Sequence, residues 1–270
     1  MQVATWNVNS LTVRLPQVLA WLQDNPVDVL ALQETKLPDE RFPFDALAQA
    51  GYQAQCFGQK AYNGVALLTR TGVTEGTDVT GVTHNIPGFV DPSARVISAH
   101  VMGVRVVCVY VPNGQAPDTD KFDYKMAWLA ALHDWIASEL AAHPRLVLLG
   151  DFNITFDDAD VWDPIAMQGQ ICCTDSERRR FRNLLALGLT DAFRLFAQPP
   201  YSYSWWDYRS FRGYRGYRGH GLAHQPGMRI DHILLSQSLK PHVTRCWIDK
   251  RPRHNERPSD HAPVAAEIGL

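Results

Sequence analysis

The 270-residue chain is poor in cysteine, has almost no net charge and contains no long apolar run. Its five cysteines are Cys56, Cys108, Cys172, Cys173 and Cys246. The count is odd, and the spacings match neither a disulfide framework nor a zinc site. A stapled extracellular module is therefore excluded, and a reducing, cytoplasmic setting is expected. Residues 1–20 lack the basic stretch and apolar core of a signal peptide. No apolar run reaches the length of a membrane span. A glycine-rich phosphate loop is missing, as is a convincing motif for a nucleophilic serine or cysteine.

With 46% hydrophobic and 20% charged residues, the composition is that of an ordinary globular chain. No linker or composition shift divides it, so a single domain over 1–270 is expected. The net charge of −2 does not announce a nucleic-acid binder. The distribution of charge is uneven, however. Between Arg209 and Arg257 stand eleven lysines and arginines against Asp231, Asp249 and Glu256.

The stretch Leu146–Asn153 organises the rest. Four apolar residues read as a buried strand, Gly150 punctuates its end, and Asp151 and Asn153 follow. An extended backbone would point both polar side chains the same way. An Asx-type turn accounts equally well for the two residues. Before this stretch, Val3–Trp6 and Val27–Leu32 read as strands flanking a helix over Arg14–Gln23. Phe44–Ala50 is a short helix and Gly64–Thr69 a strand. Arg95–Val101 and Val104–Val111 form a hairpin around Met102-Gly103. Phe122–Leu140 is a long amphipathic helix. After it, Thr174 and Glu177 have capping-box spacing and open a helix through Leu187. Tyr201–Tyr208, Met228–Leu235, Val243–Ile248 and Val264–Ile268 read as strands. Many strands with a few helices suit two sheets with helices outside.

Polar residues punctuate the ends of these strands: Asn7, Glu34, Asp151 with Asn153, Asp231, and Asp260 with His261. Any one could be a turn residue, but so many coincidences at strand ends point to a site. Asp231 sits inside an apolar run, and a buried carboxylate needs a partner. His261 is the natural one, because a carboxylate on one ring nitrogen fixes the tautomer and raises the basicity of the other. Glu34, with Asn7 or Asp260, offers hard oxygen ligands that suit Mg2+ or Mn2+. Asp151 could orient a water, while Asn153 and His261 could bond a developing oxyanion. Such a set suits metal-assisted attack of water on a phosphoester. Tyr110, by itself, reads as a core aromatic.

Several segments together resemble the exonuclease III family of the endonuclease/exonuclease/phosphatase superfamily. They are Thr5-Trp6-Asn7-Val8-Asn9, Leu32-Gln33-Glu34-Thr35-Lys36, Tyr62-Asn63-Gly64-Val65-Ala66, Leu149-Gly150-Asp151-Phe152-Asn153, Leu189-Thr190-Asp191-Ala192-Phe193, Ser204-Trp205-Trp206-Asp207, Arg229-Ile230-Asp231-His232 and Pro258-Ser259-Asp260-His261-Ala262-Pro263. They run in family order across essentially the whole chain. The resemblance implies a DNase I-like α/β fold, a four-layered sandwich of two packed mixed β-sheets flanked by helices. It implies that Glu34 binds the metal with Asn7 and Asp260 close by, and that Asp151 positions or deprotonates water. Asn153 and His261 would hold the phosphate, Asp231 would orient His261, and Tyr110 would contact phosphate. Trp205, Trp206 and Met228 would line a pocket for a base-less sugar, with Arg209 in the tryptophan-rich motif.

The activities implied are 3′→5′ exonuclease on duplex DNA, removal of 3′-phosphates and other 3′ blocks, and incision at abasic sites; a monomer is expected. Two departures leave room. Residues 211–225 are longer than usual and interleave Arg212, Arg215 and Arg218 with aromatics, which suits DNA contact or a solvated loop. Cys172 and Cys173 lie where some family members block abasic nucleotides, so a specialised 3′-phosphatase and exonuclease is the alternative. Remoter alternatives are a small-molecule or lipid phosphatase and a DNA-binding module without catalysis.

Overall fold

The structure, a computed structural model, describes residues 1–72, 79–207 and 226–270. Its first half runs β1 (Gln2–Asn7), α1 (Leu11–Asp24), β2 (Val29–Gln33), α2 (Phe44–Gln49), β3 (Tyr52–Phe57), β4 (Val65–Arg70), β5 (Thr80–His84), β6 (Val96–Val101) and β7 (Val104–Tyr110). The second half runs α3 (Asp120–Ala142), β8 (Leu146–Asp151), α4 (Pro164–Met167), α5 (Asp175–Ala186), β9 (Leu189–Asp191), β10 (Trp205–Trp206), β11 (Gly227–Met228), β12 (Asp231–Ser236), β13 (Val243–Ile248) and β14 (Val264–Ile268).

Two six-stranded sheets carry the fold, in the orders β13-β14-β1-β2-β4-β3 and β5-β6-β7-β8-β12-β9. Each is mixed: β1 and β2 are parallel, as are β7 and β8, and the other pairs are antiparallel. Alternate residues face alternate sides of a strand. Val3, Val29, Ala31 and Leu67 of the first sheet therefore meet Ala99, Val106, Val147, Leu149 and Ile233 of the second in one core. On the outer faces, Trp6, Leu30 and Leu32 pack under α1, while Val107, Leu148 and Leu234 pack under α3 and α5. The layers run helix, sheet, sheet, helix. Both faces of each central strand are buried, which is why Leu146–Leu149 is apolar without alternation.

Backbone chemistry sets two details. Met102 and Gly103 both have positive φ, 53° and 74°, so the β6–β7 turn has the twist a tight hairpin requires. Gly150 has φ 148°, and a Cβ there would lie 1.9 Å from the Val109 carbonyl oxygen. Only glycine lets β8 run this close to β7. The capping box opening α5 is present: the Thr174 side chain accepts from the Glu177 N–H, and Glu177 reciprocates.

Other expectations are corrected. Within Tyr201–Tyr208 only Trp205–Trp206 is strand, and Tyr208 lies outside the described residues. Residues Met228–Leu235 are not one strand but two, β11 and β12. Arg229 causes the break. Its N–H turns aside to the Asp160 carbonyl, and the Ile230 and Asp231 N–H groups bond the Ser204 hydroxyl instead. The Arg229 guanidinium is buried and paired with Asp160 and Asp191. β5 and β9 carry too many polar or too few residues to stand out by periodicity, whereas β3 alternates Tyr52, Ala54 and Cys56 with two glutamines and was a readable signal that went unused. Among the described residues no helix is long and apolar enough to cross a membrane.

Candidate active site

Topology brings the polar strand ends to one edge. Parallel pairing aligns the ends of β1 and β2, with Asn7 opposite Gln33. It likewise places Tyr110 of β7 opposite Asp151 of β8. β12 runs antiparallel to β8, so its first residue, Asp231, also lies opposite Asp151. Asn7, Glu34, Tyr110, Asp151, Asp231 and His261 are thus gathered from across the chain.

A line of contacts connects them. Asp231 Oδ2 lies 2.8 Å from His261 Nδ1, and His261 Nε2 lies 3.8 Å from Asp151 Oδ2. The Asn7 Nδ2 amine donates to both Asp151 Oδ2 and Glu34 Oε1, at 2.9 Å each. The Tyr110 hydroxyl donates to Glu34 Oε1 at 3.0 Å. Lys36 Nζ lies 2.8 Å from Glu34 Oε2 and bonds Asn9 Oδ1. Asn9 Nδ2 in turn donates to Asp260 Oδ1, while Asp260 Oδ2 accepts from the Trp205 indole.

Of the two readings open for Asn153, extended strand or Asx-type turn, the structure has the turn. The Asn153 φ is 49°, and its N–H donates to Asp151 Oδ1. The Asx turn and the site are the same feature: the turn fixes the carboxylate. The Asn153 side chain is held by Val111 and Asn113, so its amide is oriented. The buried Lys125 ammonium anchors the same loop through the carbonyls of Asn113 and Asn153.

Burial in a water-poor pocket raises the Asp151 pKa above the usual carboxylate range, and the Asp231 charge adds to it. Burial opposes charge on His261, but the Asp231 and Asp151 carboxylates outweigh it and hold the imidazole well above its ordinary pKa. Burial, then Glu34 and Asp151, push the Tyr110 hydroxyl up, so it keeps its proton.

Two groups of ligand atoms compete as a cation site. Ligand atoms of Asp151, Asp231 and His261 lie within 4.8 Å of one another. There, however, the His261 Nδ1 is already bonded to Asp231, and a buried imidazole between two carboxylates is a proton-holding arrangement. The Glu34 side fits a hard divalent ion better. It offers carboxylate oxygens, and Glu34 already draws the Lys36 ammonium to its open edge. Asn7 turns its oxygen to the Asn9 N–H and its amine to the two acids.

Trp205 and Met228 pair across the β10–β11 ribbon, and Val161, Cys172 and Cys173 pack beside them. Trp206 does not join that wall. It is 1% exposed and packs on the opposite side with Tyr203 and Ala262, because successive strand residues face opposite ways. Its expected place in the pocket is corrected to the core. Arg209, Arg212, Arg215 and Arg218 lie outside the described residues. Sequence reasoning missed Lys36, Asn9, Asn113 and Lys125. The first three follow polar strand ends, which was a usable signal, whereas Lys125 sits unmarked inside a helix.

The family model described as "Endonuclease/Exonuclease/phosphatase family" matches residues 4–261. The chain is 31% identical to an exodeoxyribonuclease III of Haemophilus influenzae, over 99% of this chain and all of that one. Among solved structures it resembles a Neisseria 3′ phosphatase, NExo, bound to a product DNA hairpin. That likeness has 45% identity and a TM-score of 0.91 over the whole of both chains. An AP endonuclease from Archaeoglobus fulgidus matches over the whole of both chains with 30% identity and a TM-score of 0.91. The matched span contains every residue of the strand-end cluster, and the chain belongs to the endonuclease/exonuclease/phosphatase family, in its exonuclease III branch, as a phosphoester hydrolase.

Proposed function

We propose that the protein is a divalent-metal-dependent DNA-repair phosphodiesterase acting as a monomer and a single domain on duplex DNA. Its reactions are removal of 3′-phosphates and other 3′ blocks, 3′→5′ exonuclease digestion, and incision at abasic sites. The observation that carries this is the line of contacts from Asp231 through His261, Asp151 and Asn7 to Glu34 and Tyr110. The names of its relatives support DNA as the substrate. The 45% identity to a 3′ phosphatase favours 3′-end processing as the main activity. Cys172 and Cys173 put no bulky side chain beside Trp205 and Met228, so abasic-site incision stays among the proposed reactions.

In the reaction, Asp151 accepts the proton of the attacking water, and its raised proton affinity suits that role. The water oxygen forms a bond to phosphorus as the ester P–O bond breaks, and the leaving oxygen takes its proton from solvent water. His261, held as an imidazolium by Asp231, donates from Nε2 to a phosphoryl oxygen. Asn153, fixed by Asn113 and Val111, offers its remaining N–H to the phosphate. Tyr110 stays protonated and donates in the same cavity. Glu34, Asn7 and Asp260 would hold Mg2+ or Mn2+, which supplies Lewis-acid polarisation of the phosphoryl group. Trp205 positions Asp260 through its indole N–H. Five free cysteines fit a reducing cytoplasm.

The test compares a 3′-phosphorylated duplex, an unmodified duplex and one with an internal abasic-site analogue, each with and without EDTA. Metal-dependent release of phosphate from the first supports the proposal. Full activity in EDTA, or no turnover of any duplex, overturns it.

A further inference from the structure

α5 carries a basic stripe that the hydrolytic site does not use. Ser176, Arg179, Arg180 and Asn183 recur at helical spacing and so share one face. With Met126 of α3 they line a cleft of about 360 Å³ between the two helices. Arg179 is exposed and Arg180 half-buried. Among the described residues, neither pairs with a carboxylate. Their neighbour Arg178 differs: it pairs with Asp158 at 2.8 Å. Every lining side chain but Met126 can donate a hydrogen bond, and two carry full positive charge.

The helix that lines the cleft begins beside the active-site wall, where Thr174 caps it. α5 starts directly after Cys172 and Cys173, which pack on Met228. Glu177, one residue after Ser176, is buried on the opposite flank of the helix. There it binds Lys125, whose ammonium holds the Asn153 carbonyl. One face of α5 braces the site, and the next turns unpaired arginines outward. From Ser176 to Asn183 the stripe spans about 10 Å at the rise of an α-helix. Duplex DNA places one charge on each strand about every 3.4 Å of its axis, so the stripe can meet a short run of phosphates.

Resting on the proposed nuclease function, we infer that the α3–α5 cleft is a second binding site, for phosphodiester groups of the duplex flanking the reacting end. Arg179 and Arg180 pair with the phosphates, and Ser176 and Asn183 donate to their oxygens. The site lengthens the DNA footprint without touching the reacting phosphorus. Free polyphosphate shares this chemistry, and the experiment separates the two sources.

The experiment measures kcat, KM and the salt dependence of DNA binding for the wild type, R179A/R180A, R179K/R180K and R182A. Arg182 is exposed on the same helix but lies outside the stripe. Duplexes of decreasing length serve as substrates, and circular dichroism checks folding. Losing two phosphate contacts should reduce the slope of log affinity against log salt by about 1.8. KM should rise on long duplexes and return to the wild-type value on the shortest, with kcat unchanged. The lysine variant should keep the wild-type slope, and R182A should match the wild type. An unchanged slope in R179A/R180A overturns this site alone. Calorimetric binding of inorganic pyrophosphate at the cleft, lost in R179A/R180A and not competing with DNA, assigns it to a free anion and also overturns it. Failure of the wild type to bind any duplex overturns the nuclease function and this site with it.

Discussion

Asp231→Asn isolates one interaction while leaving the shape of the site intact. Asp231 is fully buried, and its Oδ2 lies 2.8 Å from His261 Nδ1. Its charge is the largest influence favouring a proton on the imidazole. A charge-assisted hydrogen bond of this kind contributes about 1.5–3 kcal/mol. At about 1.4 kcal/mol per factor of ten, losing it from the transition state lowers kcat by roughly 10–150-fold. An amide in place of the carboxylate can also offer its NH2 to Nδ1, which removes the imidazolium. The full loss then reaches the range of about 10²–10⁴-fold that general acid–base groups provide. KM should change little, because Asp231 touches no substrate. The assay is steady-state release of phosphate from a 3′-phosphorylated duplex, with thermal melting to show that the variant is folded. A folded variant with kcat within threefold of the wild type refutes the role given to this pair.

Three further outcomes test the framework around the site. Gly150→Ala drives a methyl group into the Val109 carbonyl and forces an L-residue to φ 148°, so stability should fall by several kcal/mol, on the order of 3 or more, in chemical denaturation. Lys125→Met strands the buried Glu177 carboxylate and frees the Asn113–Asn153 loop, and should cost about 3–5 kcal/mol along with most activity. Burial opposes charge on Asp191, but Arg229 outweighs it and depresses its pKa. Its contribution is therefore complete above the ordinary carboxylate range near pH 4 and is lost as pH falls below it. In that window, stability should fall with a slope of about 1.4 kcal/mol per pH unit that Asp191→Asn removes.

Much of the site was legible because strand ends are marked by abrupt polarity after apolar runs. Glu34, Asp151 and Asp260-His261 stand out for that reason, and the sheets bring them together. The exceptions have specific causes. Trp205 and Trp206 look alike in sequence, but a two-residue strand turns one toward Met228 and Cys172 and the other toward Tyr203 and Ala262. For Asn153 the sequence leaves strand and Asx turn equally open, and only the fold shows its left-handed backbone bonding Asp151. The buried Arg229 breaks what reads as one strand, because satisfying a guanidinium with Asp160 and Asp191 takes precedence over the ladder. Lys125 could not be recognised, since nothing local distinguishes a helix lysine that meets solvent from one that meets Glu177.

Which carboxylates hold the cation decides the account most directly, and Mn2+ can be located by anomalous diffraction from soaked crystals. The predicted result is one strong peak within bonding distance of the Glu34 carboxylate, with Lys36 displaced from it. A peak seated instead among Asp151, Asp231 and His261, or no peak at Glu34 at all, would contradict it.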